Sequence, residues 1–220
     1  MIKALLCDID GTLVQSNWLH AEAWQKAFGA IGIHLELEAV RRQIGKGGDE
    51  LIPVFVPWWK SKYVEQPLKA FRKFLFQTEF RHRVEPLPGA RDFLLKLNQS
   101  GIRVALASSA PKDDLVFYKN LIGIADLVDE ETSADDADRS KPHPDIFDAA
   151  LQRLGLKPYE VLALGDTPWD AEAAGKAGIW TIGVESGGWS REDLLAAGCI
   201  EVYESVADLL DHFDESALMR

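Results

Sequence analysis

The sequence has little cysteine and no long apolar run. Its 220 residues include two cysteines, Cys7 and Cys199, which are too few for a disulfide framework or a cysteine-based zinc site, so we expect a reducing compartment. No apolar run approaches the ~18 residues that a membrane-spanning helix needs. Asp8 and Asp10 interrupt the apolar N-terminal stretch before it reaches the length of a signal peptide. We therefore predict a cytoplasmic protein without a membrane partner.

Basic residues are outnumbered by acidic ones. The chain has 24 lysine and arginine residues against 35 aspartate and glutamate residues, a formal net charge of −11. Such a chain is a poor ligand for nucleic acid, and we expect no nucleic-acid partner. An anionic substrate is still compatible, provided that the site supplies its own cation. Hydrophobic residues make up 47% and charged residues 27%, which excludes disorder and a coiled coil. We expect a monomer or a small homo-oligomer.

Short apolar runs alternate with amphipathic helical patterns along most of the chain. Four apolar runs predict buried strands, at residues 2–9, 102–107, 161–164 and 180–184. Three helical patterns lie between them, at residues 90–99, 113–121 and 145–154. Alternation with continuous apolar strands predicts an α/β fold, with helices on both faces of a parallel, Rossmann-like sheet.

One segment interrupts this alternation. Its pattern is helical and contains no convincing strand, and it is much longer than a single crossover helix needs. We predict a small helical domain of residues 16–84, inserted into a core of residues 1–15 and 85–220.

A basic run (Lys69, Arg72, Lys73, Arg81, His82, Arg83) should be a solvated helix face, and an aromatic patch (Trp58, Trp59, Tyr63) should pack in the core. An acidic loop at residues 130–138 should be mostly solvated.

Polar clusters follow three of the predicted strands, and a fourth cluster precedes the third strand. They are Asp8-Ile9-Asp10-Gly11-Thr12, Ser108-Ser109, Gly165-Asp166-Thr167-Pro168-Trp169-Asp170 and Ser140-Lys141-Pro142. The carboxyl ends of parallel strands form the ligand crevice of an open sheet, so we expect these clusters to converge. Each cluster alone is a weak signal, because short acidic or Lys-Pro motifs are common in loops. The joint pattern favours a functional site.

The converging acids predict a metal site. Carboxylates held close together repel one another unless a cation or a proton lies between them. Oxygen ligands without histidine or cysteine favour Mg²⁺ over zinc. Mg²⁺ usually binds together with a substrate phosphate, for which Lys141 supplies a charge and Ser108 a hydroxyl donor. Backbone amides at the Gly11 turn can also face an anion.

Together, these motifs resemble the haloacid dehalogenase (HAD) superfamily of phosphohydrolases. The resemblance covers essentially the whole chain, and the helical insert is similar to the cap of the phosphoglycolate phosphatase and β-phosphoglucomutase branch. It implies a Rossmann-like core, Mg²⁺, a phospho-aspartyl intermediate and a small phosphorylated metabolite as substrate, such as phosphoglycolate or a sugar phosphate. Asp8 would be the nucleophile, and Asp10 the general acid and then the base.

The resemblance also implies ligands for the metal and the phosphate. The metal ligands would be Asp8, the backbone carbonyl of Asp10, Asp166 and, as a ligand or the neighbour of one, Asp170. The phosphoryl group would be bound by Ser108, Ser109, Lys141 and Gly11.

Two residues of the insert are candidates for substrate specificity. His20 lies near the start of the first helix of the insert, where β-phosphoglucomutase-like proteins carry a histidine; the alternative is a half-exposed helix histidine. Lys46 is the one cation of the glycine-rich stretch at residues 45–50, which resembles a specificity loop of such caps. The alternative for this stretch is a simple turn between helices.

Other functions are less well supported by the motifs. Asp10 argues against dehalogenation, because haloalkanoic acid dehalogenases lack the second acid of the first motif. The enzymatic alternative is a sugar phosphomutase of the β-phosphoglucomutase type, although its usual loop arginine is missing here. A non-catalytic binding or regulatory protein is the other alternative, and it should have lost part of the catalytic set.

Overall fold

A parallel sheet of six strands forms the centre of the protein, which a computed structural model describes over all 220 residues. In chain order the sheet contains β1 (Ala4–Cys7), β4 (Arg103–Ala107), β5 (Glu130–Thr132), β6 (Val161–Gly165), β7 (Trp180–Val184) and β8 (Cys199–Tyr203). Their spatial order is β5-β4-β1-β6-β7-β8, and every neighbouring pair is parallel. Two short strands, β2 (Val14–Gln15) and β3 (Glu85–Pro86), form a separate antiparallel pair.

Ten α-helices accompany these strands, and the last of them follows β8. They are α1 (Asn17–Ala30), α2 (Leu37–Arg41), α3 (Gly48–Phe55), α4 (Trp58–Leu75), α5 (Ala90–Gln99), α6 (Lys112–Ile122), α7 (Asp145–Leu154), α8 (Pro168–Lys176), α9 (Arg191–Ala196) and α10 (Val206–Asp211). A π-helical turn over Phe76–Phe80 continues α4. No helix combines the length and the apolar character that crossing a membrane would require.

Both faces of the sheet are buried. Successive side chains of a strand point to opposite faces, so Leu5 and Cys7 of β1 join one apolar cluster and Ala4 and Leu6 join another. Helices α5 and α6 contribute to the first cluster, and α7 and α8 to the second. The predicted α/β class, with helices on both faces of a parallel sheet, is confirmed.

The sheet has two strands that the sequence pattern did not predict. Residues Glu130–Thr132, expected within a solvated acidic loop, form the edge strand β5 beside β4. Thr132 is fully buried, and its hydroxyl donates to the carbonyl of Leu106 at 3.2 Å. Strand β8 is the opposite edge, and its mixture of buried and exposed residues gives no continuous apolar run.

Between β2 and β3 the chain forms only helices, α1 to α4, followed by short helical turns. The pairing of Val14 with Pro86 holds the two ends of this segment together. The expectation that the aromatic patch packs in the core is wrong, because Trp58, Trp59 and Tyr63 are 80%, 58% and 71% exposed. In α4 the buried residues are Leu68 and Leu75, both in the C-terminal half of this helix.

Candidate active site

The ends of β1 and β4 meet the helical segment at a small cavity of about 50 Å³. Six residues predicted to act in catalysis, phosphate binding or specificity line it: Asp8, Asp10, His20, Lys46, Ser108 and Ser109. The other predicted residues are also buried: Lys141, Asp166 and Asp170 lie around Asp8, and Gly11 lies next to Asp166. The structure therefore brings the four polar clusters of the sequence together at the carboxyl ends of the strands.

Lys141 is the central cation of this site. Its ammonium nitrogen lies 2.6 Å from Oδ1 of Asp8 and 2.7 Å from Oδ1 of Asp170, and it donates to the carbonyl of Ala107 at 2.8 Å. The side chain is fully buried. Burial alone would lower the pKa of Lys141, but the charges of Asp170 and Asp8 outweigh that effect and raise it. Lys141 therefore stays protonated and offsets part of the buried negative charge.

Three buried carboxylates surround this lysine. Oxygen atoms of Asp8, Asp166 and Asp170 all lie within 4.8 Å of one another. Burial raises the pKa of Asp8 to about 7, although the charge of Lys141 opposes the shift. Burial, together with the charges of Asp170 and Asp8, raises the pKa of Asp166 well above its usual value. Three acids beside one lysine leave an excess of acidic groups at this site. All three offer carboxylate oxygens, and the set includes no histidine or cysteine, so it fits Mg²⁺.

Neighbouring residues fix the orientation of two of these acids. The Thr12 hydroxyl donates to Oδ1 of Asp166 at 3.0 Å, and the Asn17 amide donates to Oδ2 at 2.7 Å. Oδ2 of Asp170 accepts from the backbone amide and the hydroxyl of Thr167, at 3.1 Å and 2.6 Å, where α8 begins. Both carboxylates are thus held in place by donors on other residues.

Two glycines allow this close approach. A Cβ atom at Gly187 would lie 1.7 Å from Oδ2 of Asp166, and one at Gly11 would lie 2.4 Å from the same oxygen. Gly11 also has a φ of +83°, which other residues rarely adopt. The sequence motif includes Gly11, whereas Gly187 lies outside every motif and gave no signal.

Asp10 is not part of the three-acid group, and its side chain contacts the helical segment instead. Oδ1 of Asp10 accepts from the Ser16 hydroxyl at 2.6 Å and lies 2.8 Å from Nε2 of His20. Burial would raise the pKa of Asp10, but His20 and Ser16 outweigh it and lower the pKa to about 2. His20 is only 3% exposed, so the alternative of a half-exposed helix histidine is wrong.

Arg72 is a member of the site that the sequence pattern missed. The basic run was expected to be solvated, yet one guanidinium nitrogen of Arg72 lies 2.7 Å from Nδ1 of His20 and the side chain lines the cavity. A guanidinium can only donate, so Nδ1 accepts and Nε2 carries the ring proton toward Asp10. The sequence did contain a sign that Arg72 is buried. It follows Leu68 by four residues and precedes Phe76 by four, which places it on the buried face of the helix.

Lys46 belongs to a loop that contacts the core. The Ser109 hydroxyl donates to the carbonyl of Gly45 at 3.2 Å, and the Gly47 amide donates to the Ser140 hydroxyl at 2.9 Å. The Lys46 ammonium lies 3.8 Å from the centre of the Trp169 ring, and burial lowers its pKa. The glycine-rich stretch thus contacts three of the four polar clusters.

The chain is similar to several known proteins. A family model described as haloacid dehalogenase-like hydrolase matches residues 2–178. The chain belongs to the haloacid dehalogenase-like hydrolase family. The predicted membership of this superfamily, and with it the prediction of an enzyme, is confirmed.

Three relatives illustrate the range of the family. The chain is 30% identical to a phosphoglycolate phosphatase from Vibrio vulnificus, covering 96% of this chain and 95% of that protein. It is 26% identical to a phosphorylated carbohydrates phosphatase from Thermotoga maritima, covering 90% and 93%. A crystal structure of a hydrolase from Pseudomonas syringae aligns with a TM-score of 0.86 at 28% identity, covering 98% and 99%.

Proposed function

We propose that this HAD-family protein is a Mg²⁺-dependent phosphatase that hydrolyses a small phosphorylated metabolite through a phospho-aspartyl intermediate. The observation that carries the proposal is the position of Asp8, which lies beside Lys141 at the cavity and within reach of two further acids. The relatives named phosphatases support the reaction class. Phosphoglycolate and sugar phosphates are the substrate types that these names suggest.

The reaction uses the two acids of the first motif in different roles. A carboxylate oxygen of Asp8 attacks phosphorus, the bond from phosphorus to the leaving oxygen breaks, and Asp10 protonates that oxygen. Asp10 then takes a proton from water, whose oxygen displaces Asp8 from the phosphoryl group. The proton of His20 Nε2 faces Asp10 and favours its carboxylate form, which is the form that the second step needs. The first step uses the protonated form of Asp10, a minority form that the second step regenerates when Asp10 takes the proton from water.

The neighbouring residues bind and neutralise the phosphoryl group. Asp8 and Asp166 would hold Mg²⁺ with the Asp10 carbonyl, and Asp170 would be a ligand or the neighbour of one. When bound, the metal supplies positive charge that lets a carboxylate approach an anionic phosphate. Lys141 keeps Asp8 in position. The phosphoryl oxygens would be bound by Ser108, Ser109 and Lys141. The predicted contact from Gly11 is not supported, because its amide already donates to the carbonyl of Val14 at 2.8 Å.

We also propose that residues 16–84 act as a cap over the core formed by residues 1–15 and 85–220. Support comes from the contacts of the glycine-rich loop and of His20 with core residues on the cavity wall. His20 and Lys46 are then among the cap residues that line the cavity. A cytoplasmic location is part of the same proposal and agrees with two unpaired cysteines, Cys7 and Cys199.

The experiment that tests this function is phosphate release from a panel of phosphorylated metabolites, with Mg²⁺ and with a chelator. The panel contains phosphoglycolate, hexose and pentose phosphates, and nucleotides. Mg²⁺-dependent release is the expected result. If folded protein releases no phosphate but isomerises glucose 1-phosphate in the presence of a bisphosphate primer, the protein is a phosphomutase and the proposal is wrong. Inactivity in both assays would indicate a binding protein.

A further inference from the structure

Asp114 in α6 is a buried carboxylate that the proposed reaction does not use. Its side chain is 1% exposed, and neither Oδ1 nor Oδ2 has a hydrogen-bond partner. It lines the same cavity as Asp8 and Asp10. A buried carboxylate without a partner costs free energy unless something else supplies the missing donors. Its place on the cavity wall indicates that a bound molecule supplies them.

The same cavity contains an unpartnered donor. Nε of Arg72 is buried and makes no hydrogen bond, although another nitrogen of this guanidinium donates to His20. Arg72 and Asp114 are close enough to interact: burial raises the pKa of Asp114, and the guanidinium groups of Arg72 and Arg81 oppose the shift. Among the residues that line this cavity, Asp114 and Arg72 thus hold two acceptors and one donor without a partner.

We propose that Asp114 and Arg72 select a hydroxyl-rich leaving group, so that the substrate is a sugar or polyol phosphate; this rests on the proposed phosphatase function. A hydroxyl both donates and accepts, and neighbouring hydroxyls can satisfy Asp114 and Arg72 together. A leaving group with its own anionic charge, such as glycolate or phosphate, can satisfy only Arg72 and is repelled by Asp114. Phosphoglycolate and pyrophosphate are therefore poor substrates.

The space around these residues agrees with this substrate class. A second cavity of about 530 Å³ adjoins the first and shares part of its wall with it, including Lys46, Arg72 and Ser109. A leaving group that passes Arg72 can extend into this space. A two-carbon leaving group would leave the larger cavity unused, whereas a pentose or hexose can reach it.

The test is a ratio of kcat/KM values, measured with Mg²⁺. The numerator is the best of glucose 6-phosphate, ribose 5-phosphate and sorbitol 6-phosphate, and the denominator is phosphoglycolate. We expect the natural chain to favour the polyol phosphate by about tenfold or more. Asp114→Asn should lower the ratio on the order of ten- to a hundredfold, the range for a hydrogen bond to a charged group. Asp113→Asn is the matched control, because that neighbour is 79% exposed and should leave the ratio unchanged.

Two results would overturn the inference. One is a preference of the natural chain for phosphoglycolate. The other is an Asp114→Asn ratio equal to that of the Asp113→Asn control, which would make Asp114 a structural residue whatever its effect on the melting temperature. Failure of the proposed function is a different result: even p-nitrophenyl phosphate would then not be hydrolysed with Mg²⁺, and the selectivity inference would fall with the activity.

Discussion

The guanidinium of Arg72 lies 2.7 Å from Nδ1 of His20, and the opposite nitrogen of the same ring lies 2.8 Å from Asp10. This relationship links a helix between β2 and β3 to an acid of the first sequence motif. It also determines which nitrogen of His20 carries the proton, because arginine can only donate. Arg72 is therefore a positioning residue that acts on Asp10 through His20.

Replacing Arg72 should impair turnover. Arg72→Met removes the donor to Nδ1, so the ring can turn or change tautomer and Asp10 loses an oriented partner. We expect kcat to fall on the order of ten- to a hundredfold, part of what an oriented acid–base group contributes. Arg72→Lys, which keeps a donor, should recover part of the loss. Arg83→Met is the control from the same basic run, because Arg83 pairs with Glu22 and does not line the cavity.

The tautomer itself can be read by nitrogen NMR. The proton on His20 should be on Nε2 in the natural chain, and Arg72→Met should shift the signal toward a mixture. A signal from Nδ1–H in the natural chain would contradict this assignment.

Gly187→Ala should disturb the acid cluster without unfolding the protein. The new Cβ would fall 1.7 Å from Oδ2 of Asp166, so this carboxylate must leave its present position in the cluster with Asp8 and Asp170. We expect a higher Mg²⁺ concentration for half-maximal activity and a lower maximal rate. The control is Gly175→Ala in α8, where nothing lies within 4 Å of the added Cβ. That change should keep the Mg²⁺ requirement and raise the free energy of unfolding by roughly 0.5–1 kcal/mol. Equal Mg²⁺ requirements in the two variants would refute the argument.

Mg²⁺ should stabilise the folded protein. The buried carboxylates of Asp8, Asp166 and Asp170 repel one another, and a cation bound only to the folded state adds about 2.7 kcal/mol at a hundred times its dissociation constant. We expect the melting temperature to rise with Mg²⁺ and to fall when a chelator is added. Asp166→Asn should reduce the rise, whereas Asp126→Asn at the surface should not. A melting temperature that changes neither with Mg²⁺ nor with chelator would count against this metal site.

Both thiols should be unreactive in the folded protein. Cys7 and Cys199 are buried, and burial raises the pKa of the Cys199 thiol to about 12 and that of Cys7 further. A raised pKa means that the neutral thiol dominates at pH 8, and the neutral form is a poor nucleophile. A thiol-reactive disulfide reagent should label neither cysteine at pH 8 until denaturant is added, after which it should label both. Rapid labelling of either thiol in the native protein would disprove the assigned burial.

The sequence pattern was most informative where several physical requirements coincided. The helices at Ala90–Gln99 and Asp145–Leu154 have the predicted bounds, because apolar periodicity, a following glycine and a neighbouring apolar strand agreed. The edge strands β5 and β8 were missed, because short and half-exposed strands carry no continuous apolar run. Glu130 and Glu131 gave the opposite signal, that of a solvated loop.

The residues of the candidate site also fall into two groups, those that the sequence locates and those that only the fold reveals. Asp8, Asp10 and Asp166 lie in short motifs at strand ends, so the sequence itself locates them. Arg72 and Asp114 lie on helices among other charged residues, and only the packing of those helices turns them toward the cavity. Gly187 is required by a contact with a residue 21 positions before it, which no local pattern reveals.

The proposed reaction depends above all on Asp8 as the nucleophile, and a single substitution tests this role. Phosphate release from the best substrate is measured for the natural chain and for Asp8→Asn, at equal concentration and with saturating Mg²⁺. Asparagine has nearly the same shape but cannot attack phosphorus as a carboxylate. We expect Asp8→Asn to keep the fold, with an unchanged circular dichroism spectrum, and to lose turnover. Turnover close to that of the natural chain would contradict this role.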